Sequence, residues 1–123
     1  MSAAPSKPPL PSTVFDWNQL VARPTPAGEI RPVVDAPTAT FANFECHVTT
    51  LRPREPSHAP HQHADEEIVI VKEGTLEITI NGQPHRAPAG SVVFIASNDH
   101  HGLRNGGDTT AIYHVLRIVA PAP

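Results

Sequence analysis

The sequence predicts an all-β domain, a sandwich or barrel of short strands. Apolar and β-branched residues come in short runs, Gly, Pro and Asn-Gly punctuate them closely, and no stretch carries the period of a long amphipathic helix. Strands this short bury a face only by pairing and stacking in layers. A length of 123 residues suits one such domain.

Residues 1–12 are rich in Pro and Ala and are expected to form a flexible leader. Residues 13–37 form a Pro-rich arm, in which 14–21 suit a short helical turn or irregular strand that docks Phe15, Trp17 and Leu20 on the core. Four Pro and one Gly in 23–37 argue against long regular elements there, with 30–34 the best candidate for an extended piece. The β domain proper is expected over 38–120. Residues 39–51, rich in Thr, Phe and Val, predict its first strand, and three Pro make 52–60 a loop. Residues 67–72 are apolar on both faces (Ile68-Val69-Ile70-Val71), which predicts a strand packed on both sides or facing a second subunit. In 75–80, Leu76, Ile78 and Ile80 alternate with Thr75, Glu77 and Thr79, so one face is core. Asn81-Gly82 is a hairpin signal, because both residues tolerate positive φ. Residues 83–87 run back, Pro88-Ala89-Gly90 turns the chain, and 91–96 and 109–119 complete the strands, the last after an Asn105-Gly106-Gly107-Asp108 turn.

Composition excludes several classes. Net charge is −3, and the nine Lys and Arg are scattered, so nucleic acid is not an expected partner. No apolar run is long enough for a membrane span. The N-terminal segment lacks the charged and apolar blocks of a secretory signal, and a single Cys46 forms no internal disulfide. The expectation is a cytoplasmic protein with no membrane partner.

Eight His are the richest chemical resource of the chain. In an extended segment His61 and His63 point the same way, and Glu67 shares their parity. Two imidazoles and a carboxylate held together suit a first-row divalent metal, and His101 offers a further imidazole downstream. The full spacing is His61-x-His63, three residues, Glu67, six residues, Gly74, then Gly82, Pro88, Gly90, His101 and Asn105. These nine positions resemble the two motifs of the cupin superfamily. The usual opening Gly of the first motif falls at Glu55, and the gap from Gly90 to His101 is longer than the tightest form of the second. The resemblance implies a double-stranded β-helix, or jelly-roll barrel, and a metal held by His61, His63, Glu67 and His101. His100 is the alternative to His101; the spacing to Asn105 favours His101.

Three neutral imidazoles and one carboxylate leave a divalent ion with residual positive charge, and an octahedral ion with two open positions. Imidazole and carboxylate accept Fe, Mn, Ni, Cu, Co or Zn, so one divalent transition metal per chain is expected without choosing among them. Many small cupins resembling this chain are dioxygenases, which makes an oxidoreductase of dioxygenase type the leading expectation. A metal-dependent isomerase, hydrolase or lyase, in which the metal acts as Lewis acid, is the alternative, as is a non-catalytic small-molecule-binding module. His47, His114 and Tyr113 sit on expected strands and are candidate proton donors or acceptors. Adjacent residues face oppositely, so either His114 or Tyr113 lines the barrel. Asp65 and Glu66 are expected in a solvated loop, His58 at the surface or overhanging the pocket mouth, His85 at the surface, Cys46 in the core, and Arg104 in a surface ion pair or against an anionic substrate. The resemblance also implies a homodimer, with the N-terminal arm docked on the barrel or on a partner.

Overall fold

The computed structural model describes residues 7–122. A 3-10 turn (Trp17–Gln19) precedes nine strands: β1 (Arg23–Thr25), β2 (Gly28–Ala36), β3 (Asn43–Leu51), β4 (Glu66–Glu73), β5 (Thr75–Ile80), β6 (Gln83–Pro88), β7 (Val92–Ile95), β8 (His101–Asn105) and β9 (Ala111–Val119). They form two antiparallel sheets, one in the order β1-β2-β3-β9-β4-β7 and one in the order β6-β5-β8. This is the jelly-roll arrangement, with the core between the sheets.

Alternation decides what enters that core. Val69 and Val71 of β4, Leu76 and Ile78 of β5, Leu103 of β8 and Tyr113 and Val115 of β9 are all buried in one cluster. Each large apolar side chain removed from water contributes roughly 1.5–3 kcal/mol. The opposite face of β4 is only partly covered, by Trp17 against Lys72. Ile70 is 39% exposed, and its neighbours across the β4–β7 ladder, Val92 and Phe94, are 68% and 58% exposed.

Two turns depend on special backbone. Asn81 (φ 47°) and Gly82 (φ 81°) close the β5–β6 hairpin as the dipeptide predicts. Gly74, between β4 and β5, has φ +77°, and a Cβ there would lie 2.6 Å from the Thr110 carbonyl oxygen, so only Gly fits.

The arm departs from its sequence reading. Residues 28–36, expected to lack long regular structure, form the nine-residue β2, which pairs with β3 from Gly28–Leu51 to Ala36–Phe44. Pro32 is accommodated where the register shifts, between Pro32 and Val34. The short β1 pairs only as far as Ile30, so at Pro32 the second edge of β2 needs no donor. β8 is a second element without a sequence signal: His101-Gly102-Leu103-Arg104-Asn105 has neither alternation nor β-branched residues. The expected strands at 39–51 and 109–119 begin later, at Asn43 and Ala111.

Of the leader, residues 1–6 lie outside the described residues; the Leu10 N–H donates to the Pro37 carbonyl at 2.9 Å. Trp17 docks in cis. Lys72 Nζ lies 3.9 Å and Arg31 Cζ 4.3 Å from its ring centroid, and Arg31 also donates to the Leu20 carbonyl at 2.8 Å. No helix among the described residues is long and apolar enough to cross a membrane.

Candidate metal centre

His61, His63 and His101 come together. One ligand nitrogen from each can be chosen so that all lie within 4.8 Å of one another. Their ring centroids form a nearly regular triangle, with sides of 5.1, 4.9 and 4.9 Å. The route to this geometry differs from continuous strand parity. β4 starts only at Glu66, and 62–65 is irregular. His61 is instead held opposite His101 by an isolated antiparallel bridge, with reciprocal N–H to carbonyl bonds of 2.9 and 2.8 Å. A directly opposed pair of this kind projects its side chains to one side.

Glu67 completes the floor of the cluster. Its side chain is buried, with Oε1 3.6 Å from His63 Nε2 and Oε2 3.7 Å from His101 Nε2. These separations are too long for hydrogen bonds. His63 Nε2 and His101 Nε2 are both buried and without a partner. Buried polar atoms are normally satisfied, so two orphaned ring nitrogens facing a carboxylate fit a cation shared among them. The remaining nitrogens are already assigned. His63 Nδ1 lies 2.9 Å from the Asp65 carbonyl, and His101 Nδ1 lies 2.8 Å from the Asp99 carbonyl. A carbonyl can only accept, so Nδ1 carries the proton in both rings and Nε2 keeps its lone pair for a metal. Burial, then the neighbouring His58, lowers the His61 pKa to about 4, so this ring is neutral at physiological pH as a ligand must be.

His61 and Glu67 face a cavity of about 270 Å³. Ile30, Leu51, Leu103 and Val115 form its apolar wall; His47, Thr49, Tyr113 and Arg117 add polar groups beside His61 and Glu67. Tyr113 is therefore the inward residue of the Tyr113/His114 alternative. Burial raises its pKa, with Ser57 and Thr49 acting in the opposite direction. His114 is corrected: β9 turns it to the outer face, where its ring centroid lies 6.5 Å from that of Trp17, away from the cavity. Burial, then the Lys72 charge, lowers its pKa. His47 lines the cavity, and its Nδ1 is 2.7 Å from Glu45 Oε1.

Several functional neighbours escaped the sequence reading. Asp65, expected to be solvated, is mostly buried: Arg117 Nε and Nη2 donate to its carboxylate at 2.6 and 3.0 Å. The bonds from Arg117 hold the Asp65 carboxyl below its ordinary pKa. His58 is exposed and also overhangs the pocket, the two readings its position before the ligands leaves open: its ring centroid lies 4.2 Å from that of His61. Shared parity with His63 hinted at Asp65, and alternation along the last strand put Arg117 on the Tyr113 face without showing its partner. Arg104 donates to the Arg54 carbonyl rather than to a carboxylate. Cys46 is a buried free thiol.

Fold and site together define a double-sheet barrel with a cluster of three histidines that could hold a metal ion. A family model, the cupin domain, matches residues 47–117, and the chain belongs to the cupin family. It is 30% identical over 98 residues to Protein SchB of Streptomyces halstedii, a match covering 78% of this chain and 70% of SchB. It is 40% identical over 67 residues to the HTH-type transcriptional activator RhaS of Mannheimia succiniciproducens, a match covering 53% of this chain and only 25% of RhaS. An RmlC-like cupin from Shewanella frigidimarina superposes with a TM-score of 0.71 at 16% identity, over 89% of this chain and 93% of that one.

Proposed function

We propose that this protein is a metal-dependent enzyme acting on a small molecule bound in the cavity beside His61, His63, Glu67 and His101. The observation that carries the reading is the pair of buried, unpartnered Nε2 atoms of His63 and His101 beside the Glu67 carboxylate. A divalent transition metal bound there supplies open coordination positions, used by Fe(II) for dioxygen and a chelating substrate or by other ions to polarise a carbonyl. Oxidation of dioxygenase type is the leading reading, because four protein ligands on an octahedral ion leave room for two exogenous groups.

The other groups of the cavity work on the substrate. The apolar wall excludes water from one side of it. Glu45 accepts from His47 Nδ1, which leaves His47 Nε2 free to take a proton. Tyr113, kept protonated by burial, donates a hydrogen bond or a proton from its hydroxyl. The Glu45–His47 pair also favours a second reading, in which proton transfer at His47 serves isomerase, hydrolase or lyase chemistry. The partial match to the activator RhaS favours a third, a small-molecule-binding module. We propose in addition a homodimer through the outer face of β4 and β7.

Elemental analysis of protein purified without added metal tests the site. Wild type is expected to carry one transition metal per chain, and the His61→Ala/His101→Ala variant to lose at least about tenfold in affinity. Equal metal content in the two proteins overturns the assignment. Oxygen uptake with candidate chelating substrates then separates the first reading from the others.

A further inference from the structure

The Asp65–Arg117 pair has a use that stability does not explain. Side-chain exposure is 16% for Asp65 and 35% for Arg117, so both charges have given up much of their hydration. A pair this shielded adds little net stability, because desolvation offsets the attraction. Its position is more informative. Arg117 lies on β9, directly opposite Glu67 of β4 and Glu45 of β3. From there it grips Asp65 with two parallel bonds in the irregular segment before β4. Asp65 Oδ1 is 3.1 Å and its backbone carbonyl 2.9 Å from His63 Nδ1.

The three ligand histidines are not held alike. His61 and His101 lock one another through two backbone bonds. The His63 backbone has one bond, from the Asn98 N–H to its carbonyl, and its ring is held at Nδ1 by Asp65. Its orientation is set by Asp65, and Asp65 is set by Arg117.

We infer that Arg117, 54 residues along the chain from His63, is a positioning residue that sets metal affinity by clamping Asp65 against His63 Nδ1. This rests on the metal reading above. A carboxylate beside Nδ1–H also makes Nε2 a stronger donor, and loss of such outer partners typically costs about 10–100-fold in metal affinity.

The experiment is calorimetric titration of chelator-treated protein with Co(II), with the thermal midpoint of each metal-free protein measured alongside. Arg117→Met is expected to raise the Co(II) Kd about 10–100-fold. Arg117→Lys, which keeps the charge but not the two-point grip, should recover part of the loss and guards against a variant that fails to fold. Arg54→Ala removes a comparable but exposed pair with Asp108 and should leave the Kd within about twofold. If Arg117→Met and Arg117→Lys both fold and bind Co(II) within twofold of wild type, the pair is merely structural and the inference is overturned. Wild-type protein that takes up no Co(II) overturns the metal reading, and this inference with it.

Discussion

Asn105 is the residue whose loss should cost most for its size. It is fully buried. Its Nδ2 group lies 3.1, 3.1 and 2.7 Å from the carbonyls of Leu51, Arg52 and Thr109, and its Oδ1 accepts from the Gly107 N–H at 2.9 Å. An amide has two N–H donors, so the three carbonyls share two protons and the set amounts to about three full bonds. At about 1 kcal/mol net for each, and more where a buried carbonyl is left dry, Asn105→Ala should destabilise the protein by about 3–4 kcal/mol. For a chain of this length that lowers the thermal midpoint by about 10–15 °C. Asn105→Asp is the sharper probe. It keeps an acceptor for Gly107 but turns an oxygen toward three carbonyl oxygens, so it should be at least as harmful as Ala. Urea denaturation of metal-free protein, with the m-value unchanged, measures both. A loss under about 1 kcal/mol for Asn105→Ala, or a milder loss for Asp than for Ala, refutes the reasoning. The consequence reaches the site, because β8 begins at His101 and ends at Asn105.

Two further outcomes are expected. Burial, with a smaller push from Glu45, raises the Cys46 thiol from 9.0 to about 11. A raised folded-state pKa means a contribution to stability that is complete below the unfolded value and lost as pH rises through the folded one. Stability should therefore fall between pH 9.0 and about 11, and Cys46→Ala should flatten that part of the pH–stability curve; an unchanged slope counts against the burial argument. Light scattering of wild type should give twice the 13.2 kDa chain mass, and Phe94→Glu, on the exposed face beside β4, should give the single mass. A monomeric wild type rejects the dimer.

Much of the barrel was legible because its strands carry one-face burial. Leu76, Ile78 and Ile80 alternate, Asn81-Gly82 has one good conformation, and Gly74 has no substitute at its φ. β2 was hidden by prolines, whose exclusion from strands holds only where a donor is needed; at Pro32 the free edge and the shifted register remove that need. β8 was hidden because its pairing to β5 and the anchoring of Asn105, rather than side-chain propensity, make it a strand. The approach of His61, His63 and His101 was legible as spacing. The surroundings were not, because a shift of one residue exchanges the faces of a strand. Tyr113 and His114 were equivalent until the β3–β9 register assigned them, and Asp65 became part of the site only through a partner 52 residues away.

The prolines have a consequence for how the molecule meets its own copies in a crowded solution. Every open sheet margin is a template on which another chain can add a strand. Here β1 ends one sheet with Pro24, and β6 ends the other with Pro84 and Pro88, residues that offer no N–H to an incoming ladder. The margin of β8 is capped by bridges from Pro56 and His61. Among the described strands, the four-residue β7 alone has a margin without such a cap, and it is too short to seed a growing fibril. Strand addition is thereby disfavoured at the margins of β1, β6 and β8.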